Sequence, residues 1–291
     1  MPSDLQGLLL APRTFFGLAR FERRTRFALA LAAVIVVVCA AAPLLAPYDP
    51  IAQPEIIQLR SMPPSAAHPF GTDPYSRDVF SRVLYGGRLS LAVALVATLV
   101  SITLGTLYGA TAGLAGGWAD GVMMRILDAL LSIPRLLLLI AVFAVWRAPL
   151  PAFIAIVGAT GWYAMARVIR GQVLALKTQD FVLSARALGA GRRQILLRHI
   201  LPNVLSPLIV AAALGVGHVI LLEAGLSYLG VGIHQPDPSW GNIIQDGADQ
   251  PARLWWISFF PGMAILLTVI VFNYLGDRLR EAADPRTRRT S

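Results

Sequence analysis

The charged residues of this chain that could do chemistry fall in two settings. Asp73, Arg77, Asp78 and Arg82 alternate in sign at spacings near one helical turn, which suits a short helix end braced by its own ion pairs rather than a ligand site. Asp128, Arg135 and Glu223 instead interrupt long apolar runs, where an ionised group is costly and a functional role is the default expectation. Asp128 and Arg135 lie two turns apart on one helix face, so mutual or interhelical pairing is expected, but three scattered charges make a poor proton relay. Catalysis finds no support. The sequence holds no Gly-Lys-Ser/Thr phosphate loop, no Gly-x-Ser-x-Gly nucleophile and no His-Glu-x-x-His metal helix. His68, His199, His218 and His234 share no ligand spacing with one another or with the lone cysteine, Cys39. Neither a metal, a cofactor nor an intramolecular disulfide is therefore expected.

The elements that must position these residues follow from composition. At 291 residues, with 56% hydrophobic and only 14% charged residues, the chain is too apolar to hide its side chains in a soluble core. It reads as an all-α integral membrane protein. Apolar runs long enough for a helix to cross a bilayer occur at about 27–47, 89–114, 123–146, 150–171, 203–226 and 255–275, giving six transmembrane helices. Lys and Arg concentrate in the N-terminal tail, the 115–125 turn, the 167–198 region and the C-terminal tail, so the N and C termini are expected to be cytoplasmic. The net charge of +9 is then positive-inside patterning in a lipid bilayer, not a nucleic-acid surface. The basic lead of the first span, with Ala40, Ala41 and Ala42 near its end, resembles a signal peptide. Its apolar stretch is too long for one, and an uncleaved anchor helix is the expectation.

Between the first two spans lies an outer segment rich in proline, which disfavours regular helix. In the second span Gly105, Gly109 and Gly113 recur every four residues, continuing to Gly117 and Gly121. The first three form a smooth stripe that lets another helix approach closely, either within this chain or in a partner subunit. On the cytoplasmic side, Asp180 is expected to cap a short helix that Gly189 stops. Phe181, Ser184, Ala185 and Leu188 share one narrow, small, apolar face of it, suited to a shallow groove. An amphipathic connector on the lipid surface, with Arg186, Arg192, Arg193 and Arg198 near phosphates, is the competing reading.

Residues 181–203, Phe-Val-Leu-Ser-Ala-Arg-Ala-Leu-Gly-Ala-Gly-Arg-Arg-Gln-Ile-Leu-Leu-Arg-His-Ile-Leu-Pro-Asn, resemble the cytoplasmic loop of ABC importer permeases. That loop carries a Glu-Ala-Ala triplet, a Gly and an Ile-x-Leu-Pro close. Here the positions are Leu183, Ser184, Ala185, Gly189, His199, Leu201 and Pro202; the Gly and Leu-Pro match, and Leu183 replaces the Glu. The segment His68-Pro69-Phe70-Gly71-Thr72-Asp73-Pro74-Tyr75-Ser76-Arg77-Asp78-Val79-Phe80-Ser81-Arg82 resembles an outer-loop motif of the dipeptide, oligopeptide and nickel branch, its C-type permease, with Ser76 in place of a Gly. Leu222–Gly232, Pro236–Asn242, Asp246-Gly247, Phe260-Pro261-Gly262 and Phe272–Asp277 extend the likeness, so that it runs from about residue 68 to 286.

The resemblance implies a type I ABC importer permease fold. The chain would divide into 1–67 (cytoplasmic tail, first span and start of the outer loop), a transmembrane domain at 68–286 with its loop at about 177–203, and a tail at 287–291. Residues 180–190 would be the coupling helix, which docks on an ATP-hydrolysing subunit; Asp180, Phe181, Leu183, Ser184, Ala185, Arg186, Leu188, Gly189, Leu201 and Pro202 would carry that contact. Gly71, Thr72, Asp73, Arg77, Asp78 and Arg82 would form the outer motif. Implied partners are a second homologous permease, two ATP-binding subunits and an extracytoplasmic substrate-binding protein. Peptides are the first expectation for the solute, with nickel complexes or oligosaccharides open. An ATP-independent secondary transporter or channel, or a scaffold without transport, is the alternative class.

Overall fold

The computed structural model describes residues 23–283; the tail ahead of residue 23 and the expected 287–291 tail lie outside them. Every regular element among the described residues is helical, apart from one isolated antiparallel bridge between Thr72 and Asp78. The order is α1 (Arg23–Ala40), α2 (Ala42–Leu45), α3 (Ile56–Leu59), α4 (Val79–Ala115), α5 (Gly117–Leu131), α6 (Arg135–Val145), α7 (Leu150–Leu176), α8 (Asp180–Ala187), α9 (Arg192–Ile195), a π-helical turn at Leu196–Ile200, α10 (Leu201–Tyr228), α11 (Trp240–Asp246) and α12 (Trp255–Ala283).

Among the described residues four helices are long and apolar enough to cross a membrane: α4, α7, the continuous Arg192–Tyr228 rod, and α12. The bent pair α5 and α6 makes a fifth if counted as one span. Three expected boundaries change. The 123–146 run is broken by 68°, because Pro134 has no N–H to continue a helix and takes the position that caps α6. The 203–226 run begins earlier, since the helix is already formed at Arg192 and widens to π geometry before Leu201-Pro202. The first run is split between α1 and α2, and Arg23, Arg24 and Arg26 make α1 too charged over its 18 residues to qualify by composition alone.

Helix α4 is the spine. Asp78 caps its start, accepting from the Ser81 N–H at 2.8 Å, and Gly116 ends it at φ +64°. At 37 residues it extends roughly 55 Å, well beyond a hydrocarbon core of about 30 Å, so both ends reach water. Its glycine stripe faces α7. A Cβ on Gly105 would lie 2.7 Å from the Met165 side chain, one on Gly109 would strike the Ala166 carbonyl, and one on Gly113 would lie 2.8 Å from Val173. Gly117 and Gly121 have no atom within 4 Å of that position. From the other side, Gly158 of α7 admits Val100, and its carbonyl accepts from Ser101 at 2.8 Å. Small residues serve the second pair too, where Gly276 of α12 sits under Leu214 of α10. Such close approach is how helices associate in lipid, where burying apolar surface gains little.

The α5–α6 arm is attached differently. Asp120 of α5 receives a two-pronged bond from Arg170 of α7 at 2.5 and 2.7 Å, and Asp128 pairs with Arg167. Arg135 donates to the Val157 carbonyl at 2.7 Å and to Thr160 Oγ1 at 3.3 Å. The pairing expected for Asp128 and Arg135 is therefore interhelical, to α7, and not mutual: the break at Pro134 puts the two residues on differently directed helices.

Gly109→Val should lower the stability of the purified protein by about 1–3 kcal/mol, the cost of overpacking. Gly121→Ala should instead gain about 0.5–1 kcal/mol. Thermal unfolding in detergent micelles reads both.

Candidate functional site

Two polar sites stand at opposite ends of α4 and α7. At one end α7 stops at Leu176, and the Lys177 ammonium donates to the Gly113 carbonyl at 3.0 Å, satisfying a terminal acceptor of α4. The chain then turns into α8. Its cap is Gln179, whose carbonyl accepts from Val182 and Leu183 at 3.0 Å each, and no side chain caps it. Asp180 is thus the first helical residue and not the cap, because the helix starts one residue earlier than expected. Its carboxylate still favours the positive end of the helix. Leu183 falls one position past the place where a Glu could close a capping box. The substitution therefore costs no such bond.

The far end closes as a Schellman motif. Gly189, at φ +88°, donates to the Arg186 carbonyl and Ala190 to that of Ala185, both at 3.0 Å. Val182 is fully buried, beside Ile169, Val173, Ile195 and Ile200. Ala185 is half-buried, so of the four residues expected on one face Phe181, Ser184 and Leu188 point outward. Leu188 is 90% exposed. Leu183 and Arg186 line a cavity of about 570 Å3 with Leu114, Lys177 and Arg192. Pro202 follows the π turn, and the Asn203 side chain donates to the His199 carbonyl at 2.6 Å. Leu201 and Pro202 thus open α10 rather than lie in α8's surface.

At the other end the outer motif is a buried charge cluster. Asp73 is not in a helix. It organises a turn, accepting from the N–H groups of Tyr75 and Arg77 at 2.8 and 2.9 Å and from Arg77 Nε at 2.5 Å. Arg77 also donates to Asp246 at 2.8 Å and to Gln235 at 2.7 Å. Arg82, fully buried, lies 3.5 Å from Asp73 and 3.3 Å from Asp246, and donates to the Pro50 carbonyl. Asp78 accepts from the His68 ring at 2.9 Å while capping α4. The brace is therefore not local: Asp246, at the end of α11, closes it. Burial pushes the Asp246 carboxyl above the usual carboxylate range, against the opposing pull of Arg82 and Arg77.

Thr72 and Gly71 tie this cluster to α12. The Trp256 indole donates to the Thr72 carbonyl at 3.1 Å, and Thr72 Oγ1 bridges to the Leu59 carbonyl. Gly71, at φ +73°, leaves no room for a Cβ, which would lie 2.6 Å from the Met62 carbonyl oxygen. Sequence reasoning missed Asp246, Gln235 and Trp256 as partners, since Asp246 lies 169 residues from Arg77 along the chain and no spacing rule spans that gap. Among the described residues no group of three His, Cys, Asp or Glu could hold a metal ion.

Ser76, where the resembling motif has Gly, sits at φ +63°, wholly buried, with its hydroxyl unpartnered. Ser76→Gly should stabilise the protein by about 1 kcal/mol, by relieving the left-handed backbone. Asp246→Asn should cost about 3–5 kcal/mol, because it leaves two buried guanidiniums short of charge. Shifts of the thermal midpoint in opposite directions are the expected result.

Comparison with known proteins places the chain in a family. The family described as the binding-protein-dependent transport system inner membrane component matches residues 101–289. The dipeptide transport system permease protein DppC of Bacillus subtilis is 42% identical over 250 residues, 85% of this chain and 77% of its own. The oligopeptide transport system permease protein OppC of Haemophilus influenzae is 42% identical over 221 residues, 76% and 71% respectively. A putative peptide transport system permease of Brucella suis is 38% identical over 272 residues, covering 92% and 90%. With long apolar helices, a short helix projecting at one end and a matching family sequence over most of its length, this multi-pass membrane chain belongs to the binding-protein-dependent transport system inner membrane component family.

Proposed function

We propose that the chain is one of two permeases of an ATP-driven peptide importer in the bacterial inner membrane. It would work beside a second homologous permease, two ATP-binding subunits and an extracytoplasmic binding protein that delivers the solute. Peptides are the solute because the similar chains are named for dipeptide and oligopeptide transport. Hydrolysis belongs to the partners; this chain carries the path and the mechanical link. In this reading α1 is the sixth span, and both termini and α8 face the cytoplasm, the side richest in Lys and Arg.

The observation that carries the reading is α8. A helix of 8 residues is far too short to be stable alone, yet it is pinned at Val182 and closed by Gly189. Its outward side still leaves Phe181, Leu183 and Leu188 exposed. A rigid knob with apolar residues turned outward suits a groove on another protein. The link back to the spans is short: Lys177 holds α4, and Val182 lies in one buried cluster with Ile169 and Val173 of α7. A push on α8 when the ATP-binding subunits close would reach both helices and open the path outward. The outer motif would hold the mouth in register while the inner end moves, and Gly105, Gly109 and Gly113 keep α4 and α7 moving as one body.

Leu188→Asp leaves the buried side of α8 untouched, so the protein should remain in the membrane at normal levels. In proteoliposomes with its partners, uptake should fall at least about tenfold, the expected cost of desolvating a carboxylate in an apolar groove, while ATP hydrolysis continues. Undiminished uptake would sink the assignment. Gly189→Val, strained at positive φ, should act in the same direction.

A further inference from the structure

Arg135 opens α6 directly after the break at Pro134. Its Nη2 donates to the Val157 carbonyl and its Nε to Thr160 Oγ1, both neutral acceptors. Nη1 has no protein partner, and among the described residues no carboxylate pairs with this guanidinium. The neighbouring arginines of α7 differ: Arg167 has Asp128 and Arg170 has Asp120. Arg135 is also deep in the bundle. A Cβ on Gly161 of α7 would lie 3.0 Å from Arg135 Nη2 and against Ser101 Oγ, and Ser101 is near the middle of α4. A cation at mid-depth without a counter-charge is expensive unless it serves a passing or bound anion.

Two further groups converge there. His218 of α10 is exposed. Thr98, one turn before Ser101 on α4, is 5% exposed, yet its hydroxyl has no partner. Ser101, Thr103, Thr111 and Thr160 all reach carbonyls, whereas Thr106 and Ser206 share the unpartnered state of Thr98. Thr98 packs against Gly215, one turn before His218. The remaining carboxylate of the bundle centre is taken, since Glu223 accepts from Ser90 at 2.7 Å and Ser227 at 2.6 Å.

We propose that Arg135, His218 and Thr98 form an anion subsite on the transport path, which takes a carboxylate of the solute in transit. This rests on the importer reading above, and for a peptide solute the group is its C-terminal carboxylate. A guanidinium already holding two protein acceptors is fixed in direction. It offers one free amino group, enough to attract an anion and weak enough to release it. Arg135 stands at the 68° break between α5 and α6, and interrupted spans form solute sites elsewhere in transport proteins.

The test compares trialanine with trialanine amide in proteoliposomes holding the complete importer. The same binding protein serves every variant, so its own preference cancels in the ratio of the two uptakes. Arg135→Gln should lower uptake of the free acid about tenfold relative to the amide, the value of one charge-assisted hydrogen bond. Arg135→Lys should retain part of the preference, and His218→Gln should lose less, in the same direction. An equal loss for both peptides, as a fixed ion pair with the second permease would give, overturns the proposal. So does an unchanged ratio in both Arg135→Gln and His218→Gln. A wild-type importer that takes up neither peptide overturns the importer reading itself, and the subsite falls with it.

Discussion

The close approach of α4 and α7 is the contact on which the rest of the structure depends. In lipid, apolar side chains gain little by leaving hydrocarbon for a helix interface, so association must come from tight van der Waals contact. Gly105, Gly109 and Gly113 on one side and Gly158 on the other bring the two backbones together. Everything functional hangs from that pair. Asp78 and Arg82 belong to the start of α4, Lys177 links the opposite end of α4 to the end of α7, and α8 follows α7 after a three-residue turn.

The two ends of this spine are built on opposite principles. The end at the start of α4 is a closed electrostatic network, with Arg77 and Arg82 set between Asp73 and Asp246 and almost no exposed surface. A buried cluster of this kind is poor evidence of stability by itself, because desolvation offsets most of the attraction. What it does supply is register: four charges have one arrangement in which each is compensated, and that arrangement joins the outer loop, α4 and α11. The end that carries α8 is open. It presents Leu188 and Phe181 to their surroundings and relies on a backbone motif, the Gly189 turn, for its shape.

Much of this was legible in the sequence, and the limits have physical causes. Hydropathy located every apolar run, and the left-handed Gly189 was readable because a short helix needs a residue that tolerates positive φ to stop. The glycine spacing announced a close contact but not its owner, since a smooth face looks alike whether a partner helix lies in the same chain or another. Helix breaks were harder. Pro134 sits inside a run that stays apolar when averaged over the length of a span, so the 68° bend was invisible to averaging, whereas the π turn at Leu196–Ile200 prolongs a helix where polar residues suggested a loop. Asp246 was out of reach for a different reason. It pairs across the fold, and an acidic residue in a turn-rich loop carries no mark of the arginines waiting for it.

The arm of α5 and α6 follows from the same accounting of polar groups. Beyond its start α6 packs on α7 through apolar groups, Leu139 being buried and the Phe143 ring lying 4.7 Å from that of Phe153, whereas Asp120, Asp128 and Arg135 hold α5 and the start of α6 through hydrogen bonds and ion pairs. Interlocked glycine faces resist sliding, because any displacement drives backbone atoms into one another. Polar ties are different: a guanidinium can exchange one oxygen for another, or for water, with little net change in energy. A permease must open and close a path without unfolding its scaffold. Here the rigid contact lies between α4 and α7 and the exchangeable contacts lie at Asp120, Asp128 and Arg135, so α5 and the start of α6 can be displaced against the spine at a cost of rearranged hydrogen bonds.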